Sequence, residues 1–163
     1  PTPFLDAFFQ NRQLKEGDNI QILIEASGPG GYYSEIQRVW CLGEPSQDLI
    51  DAWETSKKVQ TYAAGLMKVG VTPTEVINKV NEYLVSINQP EETRLFGHGQ
   101  GYDLVERPAI TASENMEIQA NMIFGLHSGI VIGNAVGTYT DNYLITEEGA
   151  VRMHKTPMEI IEL

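Results

Sequence analysis

The chain has 163 residues and a formal net charge of −11, from 11 Lys and Arg against 22 Asp and Glu. Hydrophobic residues make up 42% and charged residues 20%, which is typical of a folded globular protein and unlike a disordered one. At about 150 residues a domain, this length predicts one domain over residues 1–163. The acidic balance argues against a nucleic-acid partner, because phosphate binding requires a basic surface.

No apolar run approaches the ~18–20 residues that a membrane helix needs, so no membrane partner is expected. The first residues, Pro-Thr-Pro-Phe-Leu-Asp, have neither the basic nor the apolar region of a signal peptide. Cys41 is the single cysteine, which excludes an internal disulfide and a cysteine-based zinc site. We therefore expect a cytoplasmic protein with a buried thiol.

A long hairpin is predicted near the start of the chain. Isoleucines alternate along residues 19–26, which places them on one face of a strand. Residues 27–31 (Ser-Gly-Pro-Gly-Gly) carry a strong turn signal, and the aromatic and β-branched residues of 32–42 favour a returning strand. The hairpin is thus predicted to span 19–42.

Two helices are predicted next. Ser46 fits the N-cap of a helix that carries apolar residues at helical spacing to about Lys68. Thr72 fits the cap of a second helix, with Pro73 in its first turn and Glu75 completing a capping box.

Short strands and glycine-rich loops are predicted for the rest of the chain. A short last helix is predicted near Pro157, and the strand-like stretches are 94–98, 103–105, 121–126, 129–132 and 139–145. This order of elements predicts an α+β domain in which two helices pack against a curved antiparallel sheet.

Two carboxylates stand on the predicted hairpin, Glu25 on the first strand and Glu35 on the second. Carboxylates brought together across a hairpin can hold a hard metal ion or share acid–base work. The alternative is an exposed pair on a solvated face.

Two histidines and one further glutamate are candidates for chemistry. His98 lies among glycines at 97, 99 and 101, which allow a ligand or another strand to approach the backbone closely; the alternative is an incidental histidine in a turn. His127 follows an apolar strand, where it is either a ligand or a hydrogen-bonded core residue. Glu106 precedes Arg107, and the alternative there is a surface ion pair. His154, in a polar stretch, is assigned no role.

Four motifs in chain order resemble one family, the pita-bread peptidases, which include methionine aminopeptidase, aminopeptidase P, prolidase and creatinase. The family motifs read roughly G-D-x-V-x-I-D-x-G with G-Y-x-S-D-x-x-R, then G-H-G-I-G-L-D-V-H-E-x-P, M-V-F-T-I-E-P-G and L-V-T-E-D-G-A. The stretches that resemble them are 17–25, 31–43, 97–108, 122–129 and 144–150. The resemblance implies peptidase family M24 and the pita-bread fold, an α+β fold with a curved antiparallel sheet packed by helices.

The resemblance also implies a pair of divalent metals held by Asp, Asp, His, Glu and Glu. Position by position, these ligands become Glu25, Glu35, His98, His127 and Thr140, so the histidine alone is unchanged. The first four are the candidate metal ligands, whereas Thr140 puts a neutral hydroxyl in place of a bridging carboxylate. One or two divalent ions (Mn, Zn, Co or Fe) are expected, with a metal-free site as the alternative.

The activity that the resemblance implies is hydrolysis of a C–N bond in a peptide, amide or amidine. The candidate catalytic residues are His98, Glu35 and Glu106, which stands at a family glutamate. The family's second histidine is Val105 here, which counts against the usual peptidase route. A small molecule or short peptide is the expected substrate. The alternative is a catalytically inactive pita-bread module that binds peptides or a protein partner.

The matching stretches belong to the later part of the family's domain, which is built from two pseudo-symmetric halves. We therefore expect the N-terminal half of the domain to be missing from this stretch. A homodimer, or association with the missing part of the fold, is expected to cover the apolar surface left exposed on that side.

Overall fold

The computed structural model describes residues 13–163, so the first residues, on which the signal-peptide prediction rests, lie outside the described part. Two helices and eight strands follow one another along these residues. In chain order they are β1 (Asn19–Ser27), β2 (Tyr33–Cys41), α1 (Gln47–Leu66), α2 (Pro73–Ser86), β3 (Gly97–Gln100), β4 (Glu106–Ile110), β5 (Ile123–Ile132), β6 (Ala135–Thr146), β7 (Gly149–Arg152) and β8 (Ile161–Glu162).

All eight strands join one curved sheet, in the order β1-β2-β6-β5-β3-β4, with β7 paired to β6 and β8 paired to β2. Every pairing is antiparallel except that of β8 with β2. The predicted α+β class, with two helices against a curved antiparallel sheet, is confirmed. Neither helix among the described residues is long and apolar enough to cross a membrane.

The predicted hairpin is formed by β1 and β2, whose register places Glu25 opposite Glu35. In the connecting turn, the Gly31 N–H donates to the Gly28 carbonyl over 2.9 Å. Gly31 has a φ of 81°, a conformation that glycine adopts without steric cost. The glycines of the turn therefore fix the register that aligns the two glutamates.

Both predicted helix starts are confirmed. Ser46 caps α1 by accepting a hydrogen bond from the Leu49 N–H over 3.3 Å. Thr72 and Glu75 form the predicted capping box at the start of α2, in which each side chain accepts from the other residue's backbone N–H.

The main hydrophobic core lies between the two helices and one face of the sheet. Its buried members include Val59, Ala63, Val76, Val80, Phe124, Leu126 and Ile145. Helix α1 crosses β6 at Gly137, where a Cβ would collide with the backbone of Ala52 and Trp53. Because the helices occupy this face, the opposite face of the sheet is left for polar chemistry.

Three predicted elements after residue 90 are wrong. The stretch 103–105 is a bend closed by the Gly101 N–H, which donates to the Asp103 carbonyl, and the strand starts at Glu106. Residues 121–126 and 129–132 were predicted as two strands, but one continuous strand, β5, runs through Gly129 because that glycine pairs with Thr138. In place of the helix near Pro157, the chain extends into β8 and pairs with β2.

An ion pair between Arg107 on β4 and Glu114 stabilises the segment that follows β4. Both nitrogens Nε and Nη2 of Arg107 donate to the buried Glu114 carboxylate, at 2.9 and 2.8 Å. The Met116 backbone N–H donates to the same carboxylate over 2.9 Å. The hydrogen bond from Arg107 and that from Met116 lower the pKa of Glu114 to about 2.

We predict that Glu114→Gln destabilises the fold at neutral pH but not in strong acid. A carboxylate whose pKa is lowered on folding contributes stability above its unfolded pKa, and that contribution disappears as the pH falls through about 2. The difference in free energy of unfolding between wild type and variant should therefore be largest near pH 7 and shrink as the pH falls towards 2. Urea unfolding across this range measures it. The exposed neighbour Glu117→Gln is the control, and an equal pH dependence in both variants would contradict the assignment.

Candidate metal centre

The candidate site lies on the sheet face away from the helices, where four strands run side by side. Residues opposite one another in an antiparallel sheet, and residues two apart on one strand, share a face. Gln37 on β2 pairs with Thr140 on β6, which pairs with His127 on β5. His98 on β3 pairs with Gly125 of β5, two residues before His127. Glu35, two residues before Gln37, therefore faces the same side.

Three side chains converge there on one small volume. The Nε2 atoms of His98 and His127 are 3.1 Å apart. Glu35 Oε1 lies 3.2 Å from the Nε2 of His127 and 3.6 Å from that of His98. Among the described residues, these three form a group whose ligand atoms all lie within 4.8 Å of one another.

Apart from the two imidazole Nε2 atoms, the Glu35 carboxylate has no hydrogen-bond donor among the described residues, although it is fully buried. Burying an unpaired carboxylate costs several kcal/mol, so such a group is normally paired or bound to a metal. Two imidazole nitrogens and one carboxylate oxygen are donors that first-row divalent ions bind well. The three side chains therefore fit a divalent metal ion.

Glycines make this convergence sterically possible. At Gly125, a Cβ would overlap Glu35 Oε1, so the absence of a side chain leaves the space that the carboxylate occupies. At Gly97, a Cβ would come within 2.6 Å of the Gly125 carbonyl, and at Gly99 within 2.9 Å of the Arg107 carbonyl. The alternating glycines around His98 thus let β3 lie unusually close to both neighbouring strands.

The backbone of Glu35 is held from both sides by residues that the sequence analysis missed. Its N–H donates to Asn142 Oδ1 over 2.9 Å, and its carbonyl accepts from His154 Nε2 over 2.8 Å. Asn142 also donates to Gln100 Oε1 over 2.6 Å. The polar run Thr-Asp-Asn inside a buried strand was a signal for Asn142, whereas His154 reaches the site by a long-range contact that its local sequence does not indicate.

The remaining predicted site residues lie outside the three-residue group. Glu25 is opposite Glu35 on β1 but is exposed to solvent. Glu106 is half-buried on β4, and its Oε1 accepts from the Asp103 N–H over 2.8 Å. Thr140 is fully buried, with its Oγ1 3.3 Å from His127 Nδ1. Metal binding by Glu25 and catalysis by Glu106 stay predictions.

A buried ion pair supports the site from behind. Arg38 Nη2 lies 2.9 Å from Asp141 Oδ1, and Arg152 and the Tyr139 hydroxyl contact the other oxygen of that carboxylate. Arg38 Nη1 also donates to the carbonyls of Gln37 and Thr140, at 2.7 and 3.1 Å. Burial, together with the hydrogen bond to Asp141 and the Asp141 charge, raises the pKa of Tyr139, so its hydroxyl keeps its proton. This network ties β2 to β6 at the row that carries the site.

Comparison with known proteins agrees with the fold and with the family that the sequence motifs resemble. The model of metallopeptidase family M24 matches residues 4–156. The chain belongs to this family. Relatives include a probable dipeptidase PepE of Mycobacterium tuberculosis, 28% identical over 155 residues, and an Xaa-Pro dipeptidase of Pyrococcus furiosus, 27% identical over 153 residues.

The match covers most of this M24 chain but less than half of each relative. It spans 94% of the chain and 41% of the mycobacterial protein, and 93% of the chain and 44% of the Pyrococcus protein. The crystal structure of dipeptidase PepE from Mycobacterium ulcerans superimposes with a TM-score of 0.83 at 27% identity, over 94% of this chain and 42% of that one. The described fold is therefore part of a pita-bread domain.

We predict that Gly125→Ala removes metal binding while leaving the fold intact. The new Cβ would occupy the position of Glu35 Oε1, so the carboxylate would have to turn away from the two histidines. Thermal unfolding with and without added Zn²⁺ or Mn²⁺ measures this, because an ion that binds the folded state raises Tm. Gly65→Ala is the matched control, since a Cβ there meets nothing within 4 Å. If added metal raised the Tm of Gly125→Ala as much as that of wild type, the assigned geometry would be contradicted.

Proposed function

We propose that this M24 chain is part of a metal-dependent hydrolase that cleaves a C–N bond in a short peptide. The observation that carries the proposal is the buried Glu35 carboxylate, which faces the Nε2 atoms of His98 and His127 and has no other donor among the described residues. A dipeptide substrate is supported by the relatives named as a probable dipeptidase and an Xaa-Pro dipeptidase.

Glu35, His98 and His127 would hold the ion. When bound, a divalent ion supplies a Lewis acid and lowers the pKa of a coordinated water, which makes hydroxide available near neutral pH. The buried strands around the three residues would keep bulk water away and hold the peptide carbonyl in a low-dielectric surrounding. Glu106 is our candidate for moving a proton to the leaving amine, because a carboxyl group can serve in that role.

A second candidate function is a non-catalytic module that binds peptides. Thr140 has a neutral hydroxyl where the resemblance implied a carboxylate, and Val105 stands, exposed, where the family has a histidine. Both changes remove groups that the usual peptidase route needs. A peptide would then bind in the same cleft without being cleaved.

Partner surfaces also belong to the proposal. β1 lies at one end of the strand order, and its Ile22 and Ile24 are exposed apolar side chains. An exposed apolar edge of this kind supports association with a second copy or with the remaining half of the fold. A cytoplasmic location stays a prediction from the sequence.

We predict that Glu35→Gln and His98→Ala abolish peptide hydrolysis without unfolding the protein. The metal contribution to a hydrolytic transition state is worth several kcal/mol, so kcat/KM should fall by more than about 100-fold. Dipeptides, including Xaa-Pro dipeptides, should be assayed with the purified protein after metal addition and again after chelation. Chelation should stop wild-type turnover, and restored metal should recover it.

Glu147→Gln is the matched control, because Glu147 is exposed in the turn after β6 and lies away from the site. It should retain wild-type kcat/KM. Turnover that survives in His98→Ala or Glu35→Gln would overturn the proposed hydrolase site. A wild-type protein that binds dipeptides but never cleaves them would favour the non-catalytic module.

A further inference from the structure

We infer that this centre is built for one zinc-type ion in four-coordinate geometry, and that Thr140 and Gln37 serve it as positioning residues by fixing the tautomer of His127. The inference rests on the metal site of the proposed function and deepens it. It differs from the paired-metal site that the family resemblance implied.

His98 has its tautomer fixed by its own backbone. Its Nδ1 lies 3.0 Å from the Gly99 carbonyl oxygen. A carbonyl can only accept, so Nδ1 carries a hydrogen, and in the neutral imidazole that binds a metal Nε2 carries a lone pair. That lone pair is the one that faces His127 and Glu35.

His127 has its tautomer fixed by a side-chain relay. The Thr140 hydroxyl donates its one hydrogen to Gln37 Oε1 over 3.2 Å. The lone pairs of the Thr140 oxygen then accept from His127 Nδ1, which lies 3.3 Å away. Nδ1 therefore carries a hydrogen, and in the neutral ring the Nε2 of His127 also presents a lone pair to the centre.

In the neutral form that binds a metal, the two imidazole lone pairs and the Glu35 carboxylate oxygen therefore face one another. Their separations are 3.1, 3.2 and 3.6 Å. In a buried site this arrangement is repulsive, and a cation among the three atoms converts the repulsion into attraction. A tetrahedral ion with bonds of about 2.0–2.1 Å places its ligand atoms about 3.3–3.4 Å apart, which lies within the observed spread.

The total charge of Glu35, His98 and His127 determines how many metal ions they can hold. Among the described residues, Glu35 is the one acid in the cluster of ligand atoms, and Thr140 and Gln37 beside it are neutral. Two divalent ions at close range need bridging carboxylates to offset their mutual repulsion. One carboxylate with two neutral imidazoles is instead the ligand set of catalytic zinc sites, which leave the fourth position to water or substrate.

We predict that metal-free protein binds one Zn²⁺ or one Co²⁺ per chain. Calorimetry with elemental analysis at fixed pH gives the stoichiometry, and visible absorption of the Co²⁺ form gives the geometry. Intense d–d bands of four-coordinate Co²⁺ are expected, in contrast to the weak bands of a six-coordinate ion. Two ions per chain, a six-coordinate spectrum, or failure to retain either ion would each overturn the inference.

Variants of Thr140 test its role in positioning His127. Thr140→Val should lower Zn²⁺ affinity by about 10–100-fold, the usual effect of removing the partner of a metal-bound histidine, whereas Thr140→Ser should retain the affinity. Thr138→Val is the matched control, because Thr138 is buried two residues away on the same strand and its hydroxyl has no partner among the described residues. Unchanged Zn²⁺ affinity in Thr140→Val would overturn the positioning role.

A direct readout of the tautomer separates positioning from general structural support. ¹⁵N imidazole NMR of the Zn²⁺-bound protein should show the hydrogen of His127 on Nδ1 in wild type and in Thr140→Ser, and a changed tautomer population in Thr140→Val. Hydrogen on Nε2 in the wild type would overturn the inference.

The same samples separate this inference from the proposed function. Dipeptide hydrolysis by a protein that holds two Mn²⁺ ions would overturn the inference and leave the hydrolase intact. One four-coordinate ion in a protein that cleaves no dipeptide would support the inference and overturn the hydrolase.

Discussion

The buried carboxylate of Glu35 is the constraint on which the rest of the site depends. Its backbone is held by Asn142 and His154, and its buried side chain occupies the space above Gly125. An anion held in this way destabilises the fold unless a positive charge reaches it. A buried carboxyl group with so few hydrogen-bond partners is typical of a functional site rather than of a core.

Two sets of contacts hold the site around Glu35 in place. On one side of the sheet, α1 and α2 bury the apolar residues of the core against β5 and β6. Behind the site, the Arg38–Asp141 pair joins β2 to β6 through side chains and through the carbonyls of Gln37 and Thr140. A rigid sheet allows three side chains from different strands to keep their ligand atoms within 3.6 Å of one another.

Local signals in the sequence predicted the parts of the fold that local physics decides. The hairpin turn follows from its glycines, and the start of α2 follows from Thr72 and Glu75, because each depends on residues close in the chain. The end of the chain was predicted as a helix, but there the backbone gains its partners from β2, over 100 residues away. His154 was missed for the same reason, since its contact with Glu35 is long-range. The pairing of His98 with His127 came from the family resemblance and not from their spacing.

The two largest departures from the family motif belong together physically. An imidazole that binds an ion through Nε2 binds it more tightly when its Nδ1 donates a hydrogen bond to an accepting partner. Thr140 supplies that partner, and Gln37 turns the hydroxyl so that its lone pair faces the ring. A carboxylate at position 140 would also accept the hydrogen, but it would add a second negative charge beside Glu35 and favour a second ion. In the one-ion centre that we infer, His127 supplies a ligand nitrogen and Thr140 accepts the hydrogen bond from its ring. Either replacement of a family glutamate without the other would leave a poorer ligand set than the two together.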